Sequence, residues 1–327
     1  MKRRLFLHVG SGKTGTSTIQ SFFGSNRAVL KEKGYYYPSS PGKQRHKLLS
    51  WAAKPEANYR RADSFWNRLR FGSQDELRIW LRRALQKEIE AADCPNVVMS
   101  DEGLFSLLGP KFIGLDRLIG DLFDQIIILV YLRRQDDHLL SRYKQTLGKG
   151  RILTLEEVIA SRQPHNLDYY NRLRSMSEAF PHFDIRARVY SKSRFVDTPL
   201  IVDVLNSIEI EGVDGFKIPK NRNQSLDAIC AEYMRRHNLS HGRMKKLSQK
   251  KLLRFANGQD FYFAPKDRAQ FMAGLEASNR NLVKQFLPGA EDVFLAPARE
   301  KEGIPQSEIT DSDLRVIEKK MRRRVTI

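Results

Sequence analysis

From Leu5 to Gln20 the chain runs Leu-Phe-Leu-His-Val-Gly-Ser-Gly-Lys-Thr-Gly-Thr-Ser-Thr-Ile-Gln. A short apolar run gives way to a loop of glycines, one lysine and hydroxyls, and then to the start of an amphipathic helix. A strand–loop–helix unit of this kind aims backbone N–H groups and the positive end of a helix dipole at one point, and the lysine adds a full charge there. Gly10, Gly12 and Gly15 let the backbone curl toward a ligand with no Cβ in the way. The run predicts an anion site for a phosphate-bearing ligand at residues 10 to 18. A ligand-free turn could share the composition, but lysine with four hydroxyls at a helix start favours a site.

The loop departs from the Walker A pattern, which places Gly-Lys and then Ser or Thr after a four-residue gap. Here Lys13 stands two residues before Gly15, and Thr14, Thr16, Ser17 and Thr18 supply several hydroxyls. It also departs from the dinucleotide fingerprint, because Lys-Thr fills the gap from Gly12 to Gly15 and no acidic ribose ligand is evident downstream. The formal net charge of +19 points to anionic partners without choosing among nucleotides, acidic polysaccharide, lipid head groups and nucleic acid. Two cysteines, Cys94 and Cys230, make no disulfide framework and no zinc-site spacing. The apolar run after the basic Lys2, Arg3 and Arg4 is too short for a signal peptide, and Gln125–Leu132 is too short to span a bilayer. A cytoplasmic protein is expected, with basic patches that could meet the inner membrane surface.

Strand signals fall at Leu5–Val9, Tyr35–Tyr37, Val97–Ser100, Gln125–Leu132 and Arg186–Tyr190, with helical stretches between them. The alternation predicts an α/β chain with a central, mainly parallel sheet and helices on both faces, a P-loop-like three-layer fold. A first helix is expected over about 17–33, closing before Gly34. A second opens on a Ser73/Glu76 capping box and carries the stripe Leu77, Trp80, Leu81, Ala84, Leu85 and Ile89 into the core. After Gln224 strand signals disappear, and helices are expected over 226–236, 244–255 and 266–286. Residues 1–223 thus form an α/β nucleotide-binding core and 224–327 a helical elaboration, ending in the basic tail 319–327.

Gln125–Leu132 ends in Arg133-Arg134, and helix signals follow from Asp136 to Gly148. Arginine at the C-terminal end of a parallel strand stands where α/β proteins bind ligands. Guanidinium with the hydroxyl of Ser141 suits a phosphate monoester, although the arginine could instead pair with Asp136 or Asp137.

Taken together, the Lys13-Thr-Gly-Thr-Ser-Thr18 loop and the Arg133/Ser141 pair resemble the sulfotransferases that use 3′-phosphoadenosine 5′-phosphosulfate (PAPS). Val98-Met-Ser-Asp-Glu102, Asn223-Gln-Ser-Leu226 and Ser278-Asn279 resemble bacterial members that modify carbohydrates. The resemblance implies transfer of a sulfuryl group from PAPS to a carbohydrate or glycolipid hydroxyl, with adenosine 3′,5′-bisphosphate (PAP) as product and no metal. It implies that Gly12, Lys13, Thr14, Gly15, Thr16, Ser17 and Thr18 hold the 5′-phosphosulfate and that Arg133 and Ser141 hold the 3′-phosphate. Lys13 is then the catalytic cation at the leaving oxygen. The general base is Glu102, after the strand Val97–Ser100, or His46, in the loop after Tyr37. Lys220, Arg222 and Asn223 are weaker candidates for a phosphate or an anionic acceptor.

Two other readings compete. A P-loop-type NTPase or kinase would use Asp101 on magnesium, against the displaced lysine. A nucleic-acid-binding protein would suit the charge, but Tyr35-Tyr-Tyr37 is the one aromatic cluster of note and reads as a strand. Neither acceptor identity nor oligomeric state is set by the sequence.

Overall fold

The computed structural model describes residues 2–55, 71–161, 167–191, 194–195, 199–219, 226–241, 247–255, 260–262, 264–296 and 303–322. Lys220, Arg222, Asn223 and the tail beyond residue 322 lie outside them. The described chain divides into two compact units, and both are assembled from separated stretches. Unit one holds 1–133, 168–221 and 281–290, and unit two holds 134–167, 222–280 and 291–327.

Unit one is built on five strands: β1 (Arg4–His8), β2 (Tyr35–Tyr36), β3 (Asn96–Ser100), β4 (Gln125–Leu132) and β5 (Asp184–Val189). They form one sheet in the order β2-β3-β1-β4-β5, with every pair parallel. β3 is buried along its whole length and β4 at all but its first residue. That is why these strands read as unbroken apolar runs: a parallel sheet is covered on both faces. On one face Phe6, Val98, Ile127, Leu129 and Tyr131 pack with Ile19, Phe22, Phe23, Val204 and Leu205. The alternate residues Leu5, Leu7, Val97, Met99, Ile128 and Val130 are as deeply buried on the other. The architecture is an α/β fold with a parallel five-stranded sheet and helices around it.

The order of the strands has a functional consequence. From β1 the chain crosses to β2 and returns to β3 on one side of β1, whereas β4 and β5 lie on its other side. The connections leaving β1 and β4 thus depart in opposite directions, and the crevice beyond their carboxyl ends is a topological switch point.

The expected helix over 17–33 is two helices, Thr16–Ser25 and Arg27–Glu32. Asn26 separates them, because its amide donates to the carbonyls of Phe22 and Lys217 (2.8 and 2.9 Å) and accepts from the Lys217 N–H at 2.7 Å. Ser73 caps the helix Gln74–Ala92 by accepting from the Glu76 N–H at 3.1 Å. Trp80 departs from the core stripe: it is 43% exposed and packs on Phe71.

Unit two contains the helices Gln135–Leu147, Leu155–Ala160, Ala228–His241, Gln249–Leu252, Pro265–Ala273 and Asp311–Arg322. It also holds a small parallel pair, β6 (Asp260–Tyr262) with β7 (Gly303–Pro305), where no strand was expected. At its centre Asp136 accepts from Arg134 and from Arg268, and Arg134 also donates to the carbonyls of Val293 and Ala296 at 3.0 and 2.8 Å. Gln135 donates to Asn279 at 2.5 Å. Among the described residues, no helix is long and apolar enough to cross a membrane.

Candidate active site

β1 delivers its loop to the switch point. The Val9 N–H continues the pairing by donating to the Leu129 carbonyl at 2.9 Å, and Ser11 Oγ donates to the Tyr131 carbonyl at 2.9 Å. The beginning of the loop is thereby tied to β4. Gly12, Lys13 and Gly15 then take positive φ values of 73°, 60° and 73°. Left-handed residues alternating with right-handed ones turn successive N–H groups inward as an anion-binding nest, and here the left-handed Lys13 and Gly15 flank Thr14, whose φ is not positive. Among the described residues, no protein carbonyl engages the N–H groups of Gly10 to Ser17, Lys13 aside. Gly15 is the N-cap of Thr16–Ser25 and brings no side chain to that end, so the positive terminus of the helix faces the loop. The Thr14 hydroxyl is buried inside with no protein partner among the described residues.

Gly10 is set by contact rather than by φ. A Cβ there would lie 2.1 Å from Thr16 Cγ2, and one on Gly15 would lie 2.4 Å from Leu200 Cδ2.

β3 contributes the acidic residues. The Asp101 N–H donates to the His8 carbonyl at 3.1 Å, and Asp101 caps the 3-10 helix Glu102–Leu107 by accepting from the Gly103 N–H at 2.9 Å. Asp101 is fully buried, whereas Glu102 stays part-exposed. Glu102 Oε2 accepts from the Thr16 hydroxyl at 2.8 Å, and Oε1 accepts from Arg45 at 2.7 Å. The carboxylate is thus joined directly to the first residue of the helix behind the loop. A threonine hydroxyl has one proton. Thr16 commits it to Glu102, so its side chain offers only lone pairs to an anion, and its backbone N–H is the donor that remains. Ser17 is exposed and Thr18 part-exposed at the same helix start.

Arg133 follows β4 at the same edge of the sheet. Its carbonyl accepts from the Tyr169 hydroxyl at 3.0 Å, which fixes the backbone there. Its guanidinium has no carboxylate partner among the described residues, because Asp136 is taken by Arg134 and Arg268. Among the described residues, pairing with a carboxylate therefore does not account for Arg133. Ser141 stands part-exposed on Gln135–Leu147 in unit two.

His46 does not fit the acid–base role. It is fully buried against Tyr37, with ring centroids 4.2 Å apart. Its Nδ1 accepts from the Ser100 N–H at 3.1 Å, so Nε2 carries the proton and donates to the Pro38 carbonyl at 2.9 Å. Burial lowers its pKa to about 3. Both nitrogens are occupied, and the ring pins the loop 38–46 to β3.

Two residues of the site carry no signal in the sequence. Arg45 reaches Asp101 Oδ1 at 2.8 Å as well as Glu102. His8, beneath the loop, shares a hydrogen with Ser100 Oγ at 2.8 Å, and burial lowers its pKa to about 4. Among the described residues, no cluster of three or more His, Cys, Asp or Glu side chains could hold a metal ion.

No family model matches the chain. Over 188 residues it is 28% identical to an uncharacterized protein of Archaeoglobus fulgidus, a match that spans 55% of this chain and 51% of that relative. The chain thus aligns with about half the length of that relative. Among solved structures, a sulfotransferase from Alicyclobacillus acidocaldarius aligns over 87% of this chain and 96% of its own, at 14% identity and a TM-score of 0.48.

Proposed function

We propose that this chain is a sulfotransferase that takes PAPS as donor and a carbohydrate or glycolipid hydroxyl as acceptor. One observation carries the reading: a lysine-bearing loop and an arginine with no carboxylate partner among the described residues follow adjacent parallel strands at the switch point. A doubly phosphorylated adenosine carries an anion for each. The residues fit such a group, since among the described residues the N–H groups of Gly10 to Ser17, Lys13 aside, and the buried Thr14 hydroxyl have no protein acceptor to displace. The motifs Lys13–Thr18 and Arg133/Ser141 support the same assignment.

On this reading, Lys13 and the N–H groups of Gly12 to Thr18 hold the 5′-phosphosulfate, with the hydroxyls of Thr14, Ser17 and Thr18. Arg133 selects the donor through its 3′-phosphate, and Ser141 is assigned to that phosphate on the sequence motif. When bound, the donor supplies a sulfuryl group: a bond forms from acceptor oxygen to sulfur as the bond from sulfur to the 5′-phosphate oxygen breaks. Lys13 offsets the negative charge left on that oxygen. Glu102 takes the acceptor's proton on a carboxylate oxygen, each of which keeps a free lone pair beside its present hydrogen bond.

Calorimetry with adenosine 3′,5′-bisphosphate and with ATP tests the proposal. Tighter binding of the bisphosphate, unaffected by a magnesium chelator, is the expected result. Tighter, magnesium-dependent binding of ATP would turn the assignment to an NTPase or kinase. Salt-sensitive binding of a bare oligonucleotide in place of either would favour a nucleic-acid-binding protein.

A further inference from the structure

Arg45 has no part in the scheme above, yet it joins both acidic residues at the end of β3. We propose that Arg45 is a positioning residue, which fixes the Glu102 carboxylate by anchoring it to Asp101. The inference rests on the sulfuryl-transfer reading of the site.

Asp101 is a fixed point. It is fully buried, and its own N–H is held by the His8 carbonyl. Its Oδ1 accepts from the Gly103 N–H and from Arg45 Nε, and its Oδ2 accepts from the Ser50 N–H at 3.2 Å. Arg45 spans from this point to Glu102 through one planar guanidinium, with Nε on Asp101 and Nη1 on Glu102. A guanidinium fork is rigid, so fixing one end fixes the other. Glu102 is then tethered through both oxygens, by Arg45 on Oε1 and Thr16 on Oε2. A glutamate with three rotatable bonds is thereby confined while a lone pair remains on each oxygen.

Gly103 makes room for the contact. A Cβ there would lie 2.5 Å from Ser50 Oγ and 3.2 Å from Arg45 Nη2. The arginine also places a positive charge between two consecutive carboxylates.

The test uses the full chain and water as acceptor, following release of adenosine 3′,5′-bisphosphate from the phosphosulfate donor, with calorimetry of the bisphosphate alongside. Arg45→Gln is expected to lower turnover about 10- to 100-fold, the scale of a misplaced catalytic group, with nucleotide affinity retained. Arg45→Lys should recover part of the loss. Added to Glu102→Gln, Arg45→Gln should lower turnover no further, because the residue acts through that carboxylate. An equal fold-loss in both backgrounds, or full turnover in Arg45→Gln, overturns the inference. Should Arg45→Gln not fold, Arg45→Lys and Gly103→Ala carry the same cycle. Bisphosphate binding with an additive cycle removes the positioning role alone, whereas a wild-type chain that binds no bisphosphate removes the sulfuryl-transfer reading with it.

Discussion

Lys13 holds a φ of 60°, a conformation that costs a residue with a β-carbon about 1 kcal/mol. Its placement is therefore sustained by the loop around it, and on the proposed reading the ammonium rather than the backbone is what the function needs. Lys13→Ala keeps the β-carbon and removes the charge. Turnover should fall about 10²- to 10³-fold, as for loss of one preorganised group at a developing charge, while the thermal midpoint stays within a few degrees. Full turnover in Lys13→Ala would defeat the assignment. His8 and His46 affect stability instead. Burial lowers their pKa values to about 4 and about 3, below the 6.5 of an exposed histidine, so the unfolded chain binds more protons than the folded one in between. Their contribution is whole above pH 6.5 and is lost as pH falls from 6.5 toward 4 and 3, each ring costing about 1.4 kcal/mol per pH unit. Denaturant melts across pH 4.5–6 should show this slope, and His8→Asn should reduce it by one proton. The positions of Lys13 and Glu102, each just after a strand, were legible from the apolar runs that precede them. Arg45 and the burial of His46 were not, because both depend on the pairing of loop 38–46 with the end of β3, more than fifty positions along the chain.

The strands were legible because a parallel sheet buries both faces, and so leaves apolar runs with no competing period. Gln125–Leu132 was placed to the residue, and the other four to within two. What escaped was set by contacts between distant segments. The break at Asn26 depends on Lys217, and the small pair β6–β7 joins segments about forty residues apart, too short to pattern. The loop after β1 makes a prediction of its own, because its glycines are required for different reasons. A Cβ on Gly10 would meet the β-branched Thr16 side chain, whose hydroxyl is held by Glu102 and cannot turn away freely. Gly12 has open space around it but a φ of 73°. Gly12→Ala should cost about 1 kcal/mol of stability, the penalty of the left-handed region. Gly10→Ala should cost more, with a weaker grip on adenosine 3′,5′-bisphosphate as the helix start shifts. Calorimetry and denaturant melts of the two variants check the order, and equal effects would show that space at Gly10 is not limiting.

At the scale of the molecule, the two compact units interleave along the chain, so each depends on contacts between segments far apart in sequence. Helix 135–147 has partners both nearby in sequence, at Leu153 and Leu167, and far along the chain, at Asn238 and Arg268. The tie is chemical. Asp136, fully buried on that helix, takes Arg134 beside it and Arg268 from more than 130 positions away. Both guanidiniums are themselves buried. Asp136→Ala leaves buried Arg134 without its carboxylate and Arg268 with only Asp137 at 3.8 Å, and breaking a buried pair in this way costs about 3–5 kcal/mol. The midpoint of chemical denaturation should fall accordingly. Adding Arg268→Met should return part of the loss, because the second change removes a charge that the first left without that carboxylate. Additive losses in the double variant would mean that Asp136 and Arg268 do not act as a pair.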